Sequence, residues 1–239
     1  MTWDKIVTLQ KWIADSNNIV FFGGAGVSTE SGIPDFRGTD GIYHMKYKYP
    51  PEVILSHTFF MDKTKEFYEF YRDKMIYEGA EPNITHKKLA QLEQQGKLNA
   101  VITQNIDGLH QKAGSRNILE LHGSVLRNYC MTCHTFYSLA DIIKGEDVPH
   151  CTCGGLIKPD VVLYEESLDE QIHIDAIRII ARADLLIVGG TSLSVYPAAE
   201  LIRYYRGNKL VIINKSPTPY DKESNLLIQA GLGEVFDTI

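Results

Sequence analysis

The sequence predicts an α/β protein built on a parallel, doubly wound sheet, and three observations carry that prediction. Strand-sized apolar runs, such as IVFF at 19–22 and LLIV at 185–188, alternate with segments of helical spacing, as in a sheet covered on both faces. The first run leads straight into a glycine turn, Gly24-Ala25-Gly26. The segments richest in glycine and polar side chains, 23–37, 104–110, 189–193 and 214–215, all follow predicted strands. Open α/β sheets bind ligands beyond the carboxyl ends of their strands.

In chain order, Trp3, Ile6, Val7, Gln10 and Ile13 recur at helical spacing and predict an amphipathic helix over 3–15. IVFF follows as a strand, and a helix is predicted to open near Val27. Residues 39–62 lack periodicity and contain Pro50-Pro51, which predicts a mobile loop with short helices. Helical patterns cover 63–78 and 84–95, while NAVITQN at 99–105 and ILELHG at 118–123 read as strands. DVVLY at 160–164 reads as a strand, 169–182 as a helix and ADLLIVGG as a buried strand. A helix over 197–206 and a strand in KLVIIN at 209–214 complete the alternation. No repeat or low-complexity segment interrupts it.

A chain of 239 residues buries a core without cross-links and suits one large domain, or a main domain with a small insertion. The net charge of −6 leaves no nucleic-acid footprint, and an acidic surface tolerates lysine-bearing partners. Asp4, Lys5, Lys11 and Asp15 interrupt the first helix, which excludes a signal-peptide core. No run approaches the ~20 apolar residues that span a bilayer. These features predict a cytoplasmic protein with no membrane partner.

The four cysteines form two knuckles, Cys130-x-x-Cys133 and Cys151-x-Cys153, 17 residues apart. Disulfides in a small secreted chain would be spread more widely, whereas two such knuckles can close around one tetrahedral zinc. The second is one residue tighter than C-x-x-C, which leaves His134 or His150 as a substitute ligand. Four thiolates leave no open coordination position, so the predicted zinc is structural.

The glycine turn lets backbone approach a pyrophosphate at a helix N-terminus, or else serves tight packing. A hydride-transfer fingerprint also needs an acidic residue about 20 positions on; that count lands in IYHMKYKYPP, which argues against a dehydrogenase. Asp35-Phe36-Arg37 suits a cofactor that is cut: an arginine pairs with phosphate, and a phenylalanine keeps water from a cationic centre. Gln104, Asn105 and Asp107 can satisfy ribose hydroxyls and a carboxamide, with helix capping the alternative for Asp107. His122 lies past a predicted strand end, and histidine titrates where a general base is useful; a structural histidine is the plain alternative.

The combination of GAGVSTESGIPDFRG, TQNIDGLH, LHG, the cysteine pairs, KPDVVLYEESL, GGTSLSVYPAA and VIIN resembles the sirtuin family of NAD-dependent protein deacylases, in the family's order from about 20 to 236. The resemblance implies a Rossmann-like NAD-binding domain of 1–36, 79–125 and 157–239. It also implies a smaller lobe with a helical insertion, 37–78, and a zinc-binding module, 126–156. It places Ala25, Gly26, Thr29, Asp35, Arg37, Gln104, Asn105, Gly190, Thr191, Ser192, Asn214, Lys215 and Leu232 at the NAD site. Phe36, Ile106 and Asp107 would form the nicotinamide pocket. His122 would be the general base, Cys130, Cys133, Cys151 and Cys153 the zinc ligands. An acyl-lysine peptide would lie as an added strand against Val162, Tyr164 and Val195.

The implied reaction consumes NAD, frees nicotinamide and lysine, and leaves O-acyl-ADP-ribose. Protein mono-ADP-ribosyl transfer and NAD sensing without turnover are the alternatives. Three departures from the family pattern refine the expectation, the first being Gly23, which stands where members often place threonine and loosens the turn. Glu165 stands where a glycine commonly precedes the glutamate, making the peptide-side loop stiffer and more acidic. Desuccinylating members carry Tyr-x-x-Arg in the helical insertion; here the register gives Tyr68 and Tyr71, with Arg72 next door. A buried succinyl carboxylate without a cation is costly, so acetyl or longer apolar acyl groups are expected.

Overall fold

The structure, a computed structural model, describes residues 3–36, 38, 41–44, 47–145 and 147–239, with His44 described by its backbone alone. Six parallel strands form the main sheet: β1 (Ile19–Gly23), β2 (Leu98–Thr103), β3 (Ile118–Glu120), β7 (Leu185–Gly189), β8 (Leu210–Ile213) and β9 (Leu226–Ile228). Their order is β3-β2-β1-β7-β8-β9, the Rossmann arrangement in which the strand order reverses beside β1. β1 is buried at all five positions, and successive side chains serve opposite faces. Phe21 packs with Ile6 and Leu9 of α1 (Trp3–Asp15), Leu89 of α5 (Ile84–Gln94) and Phe236 of α9 (Leu232–Phe236). Phe22 packs on the other face with Ala176 and Ile180 of α8 (Glu170–Arg182). Truncating either ring to alanine would cost about 3–5 kcal/mol.

A second, antiparallel sheet of β4 (Gly123–Cys130), β5 (Phe136–Ser138) and β6 (Ile157–Val161), ordered β5-β4-β6, forms the smaller lobe. With it pack α2 (Pro51–Ile54), α3 (His57–Asp62), α4 (Thr64–Lys74) and α7 (Leu139–Lys144). Their core is aromatic: Phe59, Phe60, Phe67, Tyr68 and Tyr71 surround Cys130 and Ile157. Arg127 binds the lobes together, donating to Glu120 at 2.6 Å and to Asp160 at 2.7 Å. The short helix α6 (Leu109–Ala113) follows β2. No helix among the described residues is long and apolar enough to cross a membrane.

Several predicted elements take other forms. No α-helix opens near Val27. Two single 3-10 turns, Ala25–Val27 and Thr29–Ser31, stand there and end at Gly32 with φ 85°. The segment lacks an apolar stripe, and the Ser28 hydroxyl is drawn across to Asp107. The helix predicted over 63–78 stops at Lys74, short of Gly79 and Pro82. The strand predicted at 160–164 occupies Ile157–Val161 and runs antiparallel to β4 instead of joining the parallel sheet. The helix predicted at 197–206 is a 3-10 helix, Ala198–Tyr204.

Candidate active site

A cavity of about 1300 Å³ opens where the carboxyl ends of β1, β2, β7 and β8 face the smaller lobe. Single drug-sized ligands occupy roughly 300–1,000 Å³; this volume suits a dinucleotide together with part of a second substrate. Arg37 lies outside the described residues. Every other cofactor, catalytic and substrate residue predicted above lines the cavity.

The glycine turn owes its form to packing. The Gly26 amide donates to the Gly190 carbonyl at 2.8 Å, and a Cβ on Gly26 would stand 2.8 Å from Gly190 Cα. The amide is therefore engaged by the neighbouring loop. With only three-residue 3-10 turns following, the expected phosphate site at a helix N-terminus is replaced by a turn whose side chains line the cavity.

Two hydrogen-bonded chains stitch the strand ends together. In one, Asn105 Nδ2 donates to Ser28 Oγ at 3.0 Å and Ser28 Oγ donates to Asp107 Oδ2 at 2.6 Å. Asp107 Oδ1 accepts from the Leu109 amide at 2.9 Å, so one oxygen does serve the local turn. Burial pushes the Asp107 carboxyl upward and Glu120 adds to the rise, while the Ser28 hydroxyl and Leu109 amide oppose it. In the other chain, Thr191 Oγ1 donates to Gln104 Oε1 at 3.0 Å, and Asn214 Nδ2 donates to the Thr191 carbonyl at 3.1 Å. The ends of β2, β7 and β8 are thus held in one register beneath the cavity.

His122 Nδ1 lies 2.9 Å from the Gln104 carbonyl oxygen. A carbonyl can only accept, so Nδ1 carries the proton and Nε2 is left as the base. Burial lowers the His122 pKa below 6.5, and the Gln104 carbonyl partly offsets this. The imidazole is accordingly neutral at pH 7.

Around the small-lobe wall, the Val162 amide donates to the His122 carbonyl at 3.0 Å. The Tyr164 amide donates to the Leu55 carbonyl, and the Tyr164 carbonyl accepts from the His57 amide. Its backbone is engaged by the α2–α3 linker, so Tyr164 meets the cavity through its side chain. Glu165 holds φ at 74° and Leu193, on a second cavity-bordering loop, holds 52°. Such values disfavour side chains with a Cβ and cost of order 1–3 kcal/mol each. The Glu165 carboxylate accepts from the Thr58 amide at 2.9 Å and its hydroxyl at 2.7 Å, tying the loop to α3. Glu166 accepts from the Leu163 amide, Lys158 and His57.

Tyr68 and Tyr71 lie in the small-lobe core. Tyr68 donates to the Ile157 carbonyl at 2.6 Å, and the Tyr71 hydroxyl is buried without a hydrogen-bond partner. Arg72 donates to the Ile142 and Asp147 carbonyls. From the same helix it is Lys74, paired with Asp73 at 2.9 Å, that lines the cavity.

Away from this cavity, the Sγ atoms of Cys130, Cys133, Cys151 and Cys153 all lie within 4.8 Å of one another, and none is in a disulfide. The Thr132 and Cys133 amides point at Cys130 Sγ from 3.4 Å, and the Cys153 amide at Cys151 Sγ from 3.5 Å. Four converging sulfurs with amide donors fit a tetrahedral thiolate zinc site. His150 Nδ1 turns to the Val148 carbonyl, and no histidine among the described residues joins the cluster. The substitute-ligand alternative therefore falls to Cys153.

With this geometry in hand, comparison with known proteins is decisive. The model of the Sir2 family matches residues 24–197. The chain belongs to the Sir2 family. Among curated Sir2 relatives, it is 59% identical to an NAD-dependent protein deacetylase of Clostridium acetobutylicum over 240 residues, covering 99% of this chain and 98% of that protein. It is 44% identical to one of Staphylococcus aureus strain Mu50, covering 99% and 98%. Among solved structures, a Sir2 protein with a p53 peptide and NAD+ superposes with TM-score 0.84 at 40% identity, covering 96% of this chain and 95% of that one. A Sir2 protein bound to acetylated peptide gives 0.86 at 40% identity, covering 97% and 95%.

Several residues of this Sir2 site escape sequence reasoning. Ser28 joins the glycine turn to Asp107 across 79 positions, Glu30 accepts from the Gly233 amide at 3.1 Å, and Glu166 ties together His57, Lys158 and the Leu163 amide. Their signal is burial and long-range pairing, and neither can be read from a local motif.

Proposed function

We propose that this sirtuin is an NAD-dependent protein-lysine deacetylase that cleaves NAD and transfers the acyl group to ADP-ribose. The observation that carries the reading is His122. Its Nδ1 faces the Gln104 carbonyl, burial lowers its pKa, and it lines the cavity, which supports a neutral imidazole with Nε2 free to act between bound NAD and the acyl-lysine. Bound NAD supplies an anomeric carbon with a cationic nicotinamide leaving group, from which the acyl oxygen of the substrate displaces nicotinamide. Thr191, Asn214 and Lys215 would hold the adenosine end, and Asp107 would receive the carboxamide beside Phe36 and Ile106. Asp107's second oxygen is tied to Leu109, which keeps the carboxylate oriented. His122 Nε2 takes the proton of the ribose hydroxyl that captures the acyl carbon, while Gln104 holds Nδ1–H. Val162 offers its carbonyl to the acyl-lysine N–H, and Val195 borders the opposite side. We place the enzyme in the cytoplasm, with 37–78 and 126–156 as inserts that form its small lobe together with the start of β4 and with β6.

The acyl group is proposed to be acetyl or a longer apolar chain. The small-lobe wall offers Leu55, Met75, Val125 and Leu163; Tyr68 and Tyr71 are buried in the lobe's core, and Lys74, the cation of the same helix that lines the cavity, is already paired with Asp73. The test incubates the protein with NAD and an acetyl-lysine or succinyl-lysine peptide, following peptide mass and nicotinamide. Loss of acetyl with one nicotinamide per turnover is expected, and succinyl removal at least about tenfold slower, since an unpaired buried carboxylate is costly. Nicotinamide release with the acetyl group retained would favour ADP-ribosyl transfer or simple NAD hydrolysis.

A further inference from the structure

The hydroxyls of Tyr43 and Tyr164 hydrogen-bond to each other across the cavity. Tyr43 belongs to the stretch after the glycine turn: its amide donates to the Phe36 carbonyl at 3.0 Å, and its ring meets the Phe36 ring edge-on at 5.7 Å. Tyr164 belongs to the substrate wall, where its backbone bridges Ser56 and the following Glu165 is tied to Thr58. The pair therefore connects, side chain to side chain, the nicotinamide-facing ring and the strand against which a peptide would lie, segments 121 residues apart in the chain.

We infer that the Tyr43–Tyr164 hydroxyl pair is a positioning device that couples acyl-lysine binding to cofactor binding. This rests on the deacetylase reading above. A peptide seated against 162–165 fixes Tyr164; Tyr164 holds Tyr43, and Tyr43 holds Phe36 in the orientation the nicotinamide half requires. Whichever ligand arrives first orders this linkage for the other, and by reciprocity each raises the other's affinity by the same factor. The coupling carried by one neutral hydrogen bond is worth about 2- to 10-fold in affinity.

The test measures the affinity of an acetyl-lysine peptide with and without a saturating, non-hydrolysable carbocyclic NAD analogue. Wild type, Tyr164→Phe, Tyr43→Phe and the double variant are compared, with zinc content and thermal midpoint as folding controls. The expected result is tighter peptide binding with the analogue in wild type. That enhancement should fall about 2- to 10-fold in either single variant, with no further fall in the double. Peptide affinity in the analogue's absence is measured for each variant, so that any direct loss of peptide contact at Tyr164 is divided out of the enhancement. An unchanged enhancement in Tyr164→Phe, or losses that add in the double variant, would overturn the coupling while leaving the deacetylase reading intact. Failure of the wild type to bind peptide under either condition would overturn both.

Discussion

His122 gathers the most chemistry of any single side chain in the molecule. In the proposed mechanism its neutral form is the reactive one, and burial lowers its pKa below 6.5. The rate should therefore be level through neutral pH and fall on the acid side, with the limb below 6.5. A pH profile of deacetylation that instead broke above 7 would assign the limb to another group. His122→Ala should lower turnover by about 10²-fold or more, read as kcat at saturating NAD. Gly26 makes a different demand. A Cβ there meets Gly190 backbone at 2.8–2.9 Å, and neither partner is a side chain that can swing away. Gly26→Ala should destabilise the fold by about 1–3 kcal/mol, seen in urea melts, and weaken NAD binding with it. That His122 and the strand-end polar groups would gather at one cavity was legible from their motifs, because each follows a strand end. What could not be read was which glycine packs and which side chain faces the cavity, since that depends on Gly190, 164 positions after Gly26.

Elements that a local pattern specifies are found where the sequence predicts them. α1 and α8 carry clear apolar stripes, and Asp169 caps α8 by accepting from the Ile172 amide at 2.8 Å. β1, β7 and β8 are apolar throughout. Elements whose form depends on a partner departed from expectation: β6 has strand composition, yet only its pairing with β4 decides which sheet receives it. The cysteine knuckles were legible as a pair because their spacing alone brings four sulfurs within reach. Zinc analysis should find one ion per chain. Cys130→Ala, which removes a fully buried ligand, should abolish zinc binding and unfold β4, β5 and α7, because structural zinc contributes about 10–16 kcal/mol in such modules. Hydrogen exchange should show that loss of protection in the small lobe before the parallel sheet. Full protection in a metal-free protein would contradict a structural zinc.

Over the whole molecule, stability should be asymmetric in pH. His86 and His110 are fully buried with ring centroids 4.7 Å apart. Burial lowers the His86 pKa to about 4; burial, with His86 beside it, lowers His110 to about 3. Both ring nitrogens of His110 and Nε2 of His86 lack hydrogen-bond partners. The unfolded chain protonates both near 6.5 and the folded chain does not, so stability is complete above that value. It falls as pH drops toward 4, by roughly 1.4 kcal/mol per pH unit for each histidine. Urea midpoints at pH 7 and 4.5 should show the decline, and His110→Leu should make it shallower. An equally steep decline in that variant would shift the cause to other groups.

The sheet order also has a consequence for the chain as it is made. β1 ends at Gly23, yet one of its two neighbours, β7, begins at Leu185. At about 5–20 residues per second on the ribosome, the first strand waits roughly ten to thirty seconds for that neighbour to be synthesised. Until then one edge of IVFFG stands bare, while the small lobe has already been translated in full. A central strand of the finished sheet therefore spends that interval with an unpaired edge, the kind of edge that invites mispairing with other chains.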